Sequence, residues 1–267
     1  MASTSSSIHV VPAEQGTGLV SPLEVIAGDD VAPHIAKDFP QAGRNIELGH
    51  GLRQVGHNIV ALHAGTLRHR ASSNFYIEDA ARKNYFPQVG DQVVGVIEDR
   101  TSDAYKVNIS SGAPALLSRL AFEGATKRNK PELKRGDVVY CRVADTDRDV
   151  DTELTCLSAT GVKKDWASGE AVYGPLVTGL VVRVPPAYAL KLLHPDSSVL
   201  NALGRRLAFE IAVGMNGAVW LKAAVPAEAV VLRNALLNAQ GMSSAAETEA
   251  MVDLLATRFR RQSSSAD

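Results

Sequence analysis

The sequence predicts a multidomain fold that is mainly β and includes one α+β domain toward its C-terminal end. Three observations predict it: short apolar segments separated by glycines before residue 87, five strand-like segments between residues 88 and 165, and helix signals after residue 170. The 267 residues are 45% hydrophobic, which suits two or three small domains with separate cores. We expect a disordered start over 1–19, a β domain over 20–87, a barrel over 88–165, an α+β domain over 170–242 and a helix over 243–262.

Composition and charge limit the class of protein. No run of eighteen apolar residues occurs, and residues 1–7 contain neither a basic nor an apolar stretch, so we expect neither secretion nor a membrane span. The formal net charge is -1, so contact with a polyanion must come from a local basic patch. Cys141 and Cys156 lie in segments that alternate apolar and polar residues, where we expect structural thiols and no disulfide.

The first predicted domain contains short strands joined by tight turns. Apolar segments at residues 25–27, 59–62 and 75–77 are separated by glycines, a pattern typical of a small β domain. Four histidines of this region cluster along the sequence, at His50, His57, His63 and His69. Their spacing fits neither a helix face nor a zinc finger, and no cysteine is near, so we predict no metal site there.

The second domain is predicted to be an OB-type barrel. Five strand-like segments within roughly seventy residues fit that fold. They are residues 93–97, 105–109, 115–117, 138–143 and 154–157. The connection between the third and the fourth, residues 121–131, is too polar to belong to a core.

This polar connection and the residues after it concentrate positive charge. The basic residues are Lys127, Arg128, Lys130, Lys134 and Arg135, and Asn129 stands among them. On an OB barrel such a loop lines a nucleic-acid groove, where cations release counterions from phosphates without base-specific geometry. Considered alone, the segment is more typical of a solvated charged loop; the resemblance described below favours the nucleic-acid role.

The third predicted domain mixes strands and helices. Its elements are a strand over 176–184, helices over 187–193 and 197–203, a strand over 207–213 and a helix over 226–240. Pro195 stops the first helix, Ser197 is a favourable N-cap for the second, and Pro226 suits the first turn of the last. Ser244 and Glu247 then form a capping box for an amphipathic terminal helix that we expect to dock.

A glycine-x-x-glycine element occurs within this domain. It consists of Gly214, Met215, Asn216 and Gly217. In KH domains such a loop approaches an RNA backbone closely, but it joins two helices. Strand patterns flank the element here, over residues 209–213 and 219–221, so we interpret it as a structural turn.

No catalytic or metal-binding apparatus is predicted. The acidic residues Asp145, Asp147, Asp149, Asp151 and Glu153 alternate along one segment. The calcium-loop template fails, because it requires a glycine where Val150 stands and a glutamate where Cys156 stands. The sequence also lacks a Walker loop, a dinucleotide fingerprint, a nucleophile elbow and a metalloprotease motif. We therefore expect a solvated hairpin tip, no catalytic residue and no cofactor.

Taken together, these residues resemble the ribosomal RNA-processing protein 40 (exosome component 3) family of RNA exosome cap subunits. The most specific matches are residues 122–129 with Pro131, residues 136–140, and residues 214–217 with Trp220. Further matches occur at residues 51–53, 65–69, 82–87 and 191–193. The resemblance implies a small N-terminal β domain, an OB barrel of the ribosomal S-one type and a KH domain.

The resemblance also implies a function without catalysis. Members of the family bind single-stranded RNA, sit on a ring of RNase-PH-like subunits beside other cap subunits, and guide RNA 3′ ends toward a separate processive exoribonuclease in rRNA processing and RNA decay. Lys127, Arg128 and Lys130 match the basic loop that faces the RNA path. The glycine-x-Asn-glycine element, with Asn216 and Trp220, is expected to pack between the OB and KH domains. Residence in the nucleus, nucleolus and cytoplasm is implied too.

One departure and two alternatives remain. Ala27 stands where the family has the proline of an N-terminal turn, and we expect the substitution to loosen that turn. The first alternative is a free-standing single-stranded RNA-binding protein that uses its OB and KH surfaces directly, which predicts tight, salt-sensitive binding. The second is an RNase whose acidic run from Asp145 holds metal; it predicts magnesium-dependent cleavage, which we do not expect.

Overall fold

The computed structural model describes residues 23–38, 46–49, 51–70, 74–78, 85–146, 150–158, 171–194, 197–242 and 244–263. Residues 1–19, for which we expect disorder, lie outside these ranges. The chain divides into two compact units, one within Pro12–Arg82 and the other within Lys83–Asp267. In the described part of the chain, no helix is both long and apolar enough to cross a bilayer.

The N-terminal unit is a small β domain, as predicted. Its strands are β1 (Leu23–Val25), β2 (Glu47–Leu48), β3 (Leu52–Val55), β4 (Asn58–Ala61), β5 (Gly65–Arg70) and β6 (Asn74–Glu78). Four of them form a sheet in the order β1-β5-β6-β2, and β3 pairs with β4 in a hairpin. Val25, Ile35, Phe75 and Ile77 are buried in its core.

A short helix in this unit was not predicted. Helix α1 (Ala32–Asp38) spans only seven residues and contains Pro33 in its first turn. Asp30 precedes it, and its carboxylate accepts a hydrogen bond from the Ala32 N–H at 3.0 Å. Because the segment is too short to show helical periodicity, the aspartate and the early proline were the only available signals.

The turn in which Ala27 replaces proline is formed. The Asp29 N–H donates to the Ile26 carbonyl at 3.1 Å, and the Asp29 carboxylate accepts from the Ile26 N–H at 2.9 Å. Gly28 has a φ of 101°, which a β-turn with a left-handed third residue requires. The expected loosening does not prevent the turn, because the aspartate side chain and the glycine hold it without the proline.

The five predicted strands of the second domain form a closed barrel. They are β7 (Gln92–Arg100), β8 (Ala104–Asn108), β9 (Ala115–Phe122), β10 (Val138–Asp145) and β11 (Glu153–Cys156). The order is β7-β8-β9-β11-β10, and β10 pairs back with β7. All pairings are antiparallel except that of β9 with β11. This closure confirms the OB-type barrel.

The third domain contains the predicted helices and strands, with one correction. Its elements are β12 (Gly174–Leu176), β13 (Leu180–Arg183), α2 (Pro186–Leu193), α3 (Ser198–Gly204), β14 (Phe209–Val213), β15 (Ala218–Ala223) and α4 (Pro226–Ala239). The prediction of one strand over residues 176–184 is wrong. Thr178 and Gly179 adopt φ values of 55° and 141°, which break the strand, and β12 pairs with β10 of the barrel instead.

Both faces of the β13-β15-β14 sheet are buried. Ile211, Val219 and Leu221 point into the core shared with the helices. Alternate residues on the same strands, Ala212 and Trp220, join the hydrophobic cluster of the barrel. Since side chains alternate between the faces of a strand, the barrel covers one face of the sheet and the helices cover the other.

The C-terminal helix docks as predicted. Helix α5 (Ala245–Ser263) buries Val252 and Ala256. Arg205 pairs with Glu249 at 2.8 Å, and Arg206 pairs with Asp253 at 2.9 Å. These ion pairs are exposed and contribute little, so the apolar face carries most of the docking energy.

Candidate nucleic-acid interface

The basic loop, residues 123–137, connects β9 to β10 and is anchored near its middle. The hydroxyl of Tyr105, on β8, donates to the Pro131 carbonyl at 2.6 Å and accepts from the Leu133 N–H at 3.2 Å. Tyr105 is wholly buried in the barrel. One buried hydroxyl therefore satisfies two backbone groups of the loop and holds its middle against the barrel.

The tip of the basic loop is a compact turn. The Thr126 N–H donates to the Asn129 carbonyl at 2.7 Å, and the Asn129 N–H donates to the Thr126 hydroxyl at 3.0 Å. Lys127 and Arg128 occupy the two central positions of this turn and are exposed. The turn consequently presents two adjacent cations to solvent.

The second half of the loop carries the remaining cations. Lys134 and Arg135 are exposed in the turn before β10, and Lys130 is half-buried. In that turn the Lys134 N–H donates to the Asp137 carboxylate at 2.7 Å. Within the described part of the chain, the charged groups of all five basic residues lack an ion pair. Their charge is therefore available to an external anion.

Sequence reasoning missed Arg119 on β9. Its guanidinium carbon lies 5.6 Å from the centre of the Tyr105 ring, and it donates to the Ser102 carbonyl at 3.2 Å. It also lies 3.8 Å from the carboxylate of Glu132, in the basic loop. No motif could have identified it, because its partners come from three separate segments of the barrel.

The outer face of β8 and β9 has no aromatic side chain. Tyr105 and Phe122, the aromatic residues of these two strands, are both buried. Lys106, Leu116 and Ser118 face outward instead. Many OB domains stack bases on exposed aromatic rings, so this face favours contact with a charged backbone over base stacking.

The glycine-x-x-glycine element forms the turn between β14 and β15, against the barrel. The Asn216 amide donates to the carbonyls of Val94 and Ile109 at 2.8 and 2.9 Å, and its oxygen accepts from the Val94 N–H at 3.3 Å. The Met215 N–H donates to the Gln92 carbonyl at 2.8 Å. The turn is thus buried and tied to the barrel backbone at three residues.

The glycines of this turn are required by close packing. A Cβ on Gly214 would lie 2.6 Å from the Val94 nitrogen, and one on Gly217 would clash with the Val184 carbonyl oxygen. Trp220, on β15, is 5% exposed and belongs to the hydrophobic cluster of the barrel. A buried turn cannot approach a nucleotide backbone, and the connection between α2 and α3, where KH domains carry that loop, contains no glycine.

The buried titratable groups belong to the core. Burial raises the pKa of the Cys141 and Cys156 thiols far above their usual value. Burial, with a smaller contribution from Tyr173, likewise raises the pKa of Tyr140. A thiol that stays protonated is a poor nucleophile and a poor metal ligand, so these groups offer no chemistry near neutral pH.

The acidic run offers no assembled cation site among the residues that the structure describes. Residues 147–149 lie outside them, and Asp145, Asp151 and Glu153 are exposed. Within the described ranges, no three side chains of histidine, cysteine, aspartate or glutamate lie close enough to hold a metal ion.

Comparison with known proteins matches the two domains of the larger unit. Residues 85–167 match the family model described as the S1 domain of exosome complex component RRP40, and residues 179–227 match a KH domain model. A solved structure described as an exosome complex RNA-binding protein superposes with a TM-score of 0.54 at 23% identity, covering 67% of this chain and 98% of that one. At that identity the likeness supports the fold alone.

Sequence relatives extend the match across most of the chain. Exosome complex component RRP40 of Drosophila melanogaster is 38% identical over 193 residues, which are 72% of this chain and 80% of the relative. The Schizosaccharomyces pombe relative is 37% identical over 79% of this chain and 87% of its own length. The Homo sapiens relative is 34% identical over 74% and 72%. The chain belongs to the RRP40 family of exosome complex components.

Proposed function

We propose that this chain is a non-catalytic RNA-binding cap subunit of an RNA exosome. The observation that carries the proposal is the basic loop. It carries five cations without ion pairs in the described part of the chain, and its middle is hydrogen-bonded to an OB-type barrel. A barrel with such a loop is suited to hold single-stranded RNA by its phosphates.

The contact is electrostatic and independent of base sequence. Because β8 and β9 present no aromatic ring outward, affinity comes from counterion release at phosphates. The net charge of the chain is -1, so no general attraction to RNA supplements the loop. The affinity of one such loop is modest, and several basic loops around a shared channel raise it by acting together.

The KH domain acts as a structural part of the RNA-binding unit. Its glycine-x-Asn-glycine turn is buried against the barrel, and both faces of its sheet are covered. RNA contact therefore falls to the barrel loop, while Gly214, Met215, Asn216, Gly217 and Trp220 fix the two domains to each other.

In the proposed setting, the chain sits with other cap subunits on a ring of RNase-PH-like subunits. It guides RNA 3′ ends toward a separate processive exoribonuclease during rRNA processing and RNA decay, in the nucleus, the nucleolus and the cytoplasm. The membership in the RRP40 family supports this setting.

Affinity purification of the tagged chain from its own cells tests the assembly. We expect RNase-PH-like subunits and other cap subunits to co-purify, identified by mass spectrometry. Recovery of RNA without those subunits would contradict the cap assignment in favour of a free-standing RNA-binding protein. Cleavage of labelled RNA by the purified chain in magnesium would contradict the non-catalytic assignment.

A further inference from the structure

Tyr105 lies at the centre of the contacts that fix the basic loop. Its ring is buried in the barrel, while its hydroxyl reaches the loop and bonds to the backbone of Pro131 and Leu133. These two residues lie between the tip, with Lys127 and Arg128, and the turn with Lys134 and Arg135. The hydroxyl therefore holds the loop between its two groups of cations.

Arg119 adds a second tie at the same place. Its guanidinium lies over the Tyr105 ring at 5.6 Å, donates to the Ser102 carbonyl and lies 3.8 Å from the Glu132 carboxylate. Its side chain is only 14% exposed, so it is poorly available to RNA. Arg119 thus links the basic loop to the β7–β8 connection although it is itself a cation.

The basic loop also packs against the barrel, since Leu133 belongs to the buried cluster of the barrel and Ala125 packs against that cluster. The turn at the tip closes through Thr126 and Asn129, and the Glu123 carboxylate accepts from the Ser158 N–H at 2.7 Å at the start of the loop. The turn fixes the shape of the tip. The Tyr105 hydroxyl fixes the position of the residues that follow the tip. A loop held in place before binding loses less conformational entropy when RNA arrives.

We propose that Tyr105 is a positioning residue for RNA binding, which it supports by holding the basic loop in place from inside the barrel without touching RNA. The inference rests on the proposed function of the loop. It adds a buried, uncharged residue to the set that determines RNA affinity, and it assigns Arg119 to the same support.

The test is the substitution Tyr105→Phe in the full chain, which removes the hydroxyl and keeps the ring and every charge. We expect affinity for a fluorescein-labelled oligouridylate to fall by about fivefold, because the loop loses both of its hydrogen bonds to the hydroxyl and is less ordered before RNA arrives. We also expect the slope of log affinity against log salt to become shallower by about 0.7 for each phosphate contact that the displaced loop loses. Trypsin should cleave faster after Lys127 and Arg128, without RNA present.

The matched control is Tyr140→Phe. The Tyr140 hydroxyl also lies in the barrel. It is 2.8 Å from the Gln92 side-chain oxygen and 3.4 Å from the Val213 carbonyl oxygen, and both of these acceptors lie outside the basic loop. We expect a comparable loss of stability with an unchanged salt slope and unchanged cleavage. If Tyr105 had a merely structural role, the two substitutions would change the salt slope and the cleavage rate alike. If it positions the loop, only Tyr105→Phe changes them.

The outcomes separate the two proposals. If the wild-type chain binds RNA and Tyr105→Phe binds it with the same affinity and salt slope, the positioning role is overturned and the proposed function stands. If the wild-type chain does not bind RNA at low salt, the proposed function fails and the positioning role fails with it.

Discussion

The side-chain amide of Asn216, in the β14–β15 turn, donates to the backbone carbonyl of Ile109, in the barrel, at 2.9 Å. The two residues are 107 positions apart in the chain. Asn216 also bonds to both backbone groups of Val94 and is 4% exposed. One buried amide therefore joins the KH domain to the barrel, and its loss would leave three backbone groups without partners.

Asn216→Ala should lower the free energy of unfolding by about 3 kcal/mol, because buried backbone groups lose their partners. Urea denaturation of the full chain measures this. Asn238→Ala is the control, since Asn238 is exposed on α4 and its loss should change stability by no more than about 0.5 kcal/mol. Equal stability of the two variants would show that the amide does not hold the domains together.

Gly217→Ala should destabilise the chain more than Gly90→Ala does. Both glycines have positive φ values, 76° and 92°, so each alanine is strained by about 1–2 kcal/mol. A Cβ at Gly90 meets open space, whereas one at Gly217 clashes with the Val184 carbonyl. The difference between their melting temperatures isolates the clash, and equal temperatures would mean that the turn does not pack against Val184.

Cys141 and Cys156 should resist alkylation in the folded chain at pH 9.0, where an ordinary thiol is half ionised. Burial raises the pKa of both thiols, so the reactive thiolate is scarce. Mass spectrometry after iodoacetamide should find neither modified without denaturant and both modified with it. Rapid labelling of the native chain would contradict their burial.

The same pKa shifts give a pH dependence of stability. Because the folded state holds the thiol protons more tightly than the unfolded state, their contribution is present below pH 9.0 and is lost as pH rises above it. The free energy of unfolding should therefore fall above pH 9.0, and less steeply in Cys141→Ala. An identical pH dependence in that variant would exclude Cys141 as a cause.

Local patterns were sufficient for the five barrel strands, for β14 and for the helices of the third domain. Alternation over residues 207–213 placed β14, and Pro226 marked the first residue of α4. The break between β12 and β13 was not predictable, because Thr178 adopts a positive φ that its residue type disfavours. The pairing of β12 with β10 is a tertiary contact, and no local sequence signal indicates it.

The charged residues of the candidate site were predictable from the sequence, whereas the side chains that hold the basic loop in place were not. Lys127 and Arg128 stand out because they are adjacent and lie in a polar connection. In the sequence, Tyr105 looks like an ordinary core residue of a strand. Nothing there indicates that its hydroxyl donates to the carbonyl of Pro131, which lies 26 positions further along the chain. Long-range hydrogen bonds of single side chains leave no periodic trace in a sequence, so the anchor of the loop required the structure.

RNA binding by the basic loop is best tested by the salt-dependent affinity of the full chain for labelled single-stranded oligouridylate, measured in Lys127→Glu/Arg128→Glu and in Lys191→Glu/Arg233→Glu. The second pair makes the same charge change at exposed positions on α2 and α4. We expect the loop pair to lower affinity by at least about tenfold and to make the salt slope shallower by about 1.4, while the helix pair leaves the slope unchanged. Equal effects of the two pairs would contradict the claim that the basic loop holds RNA.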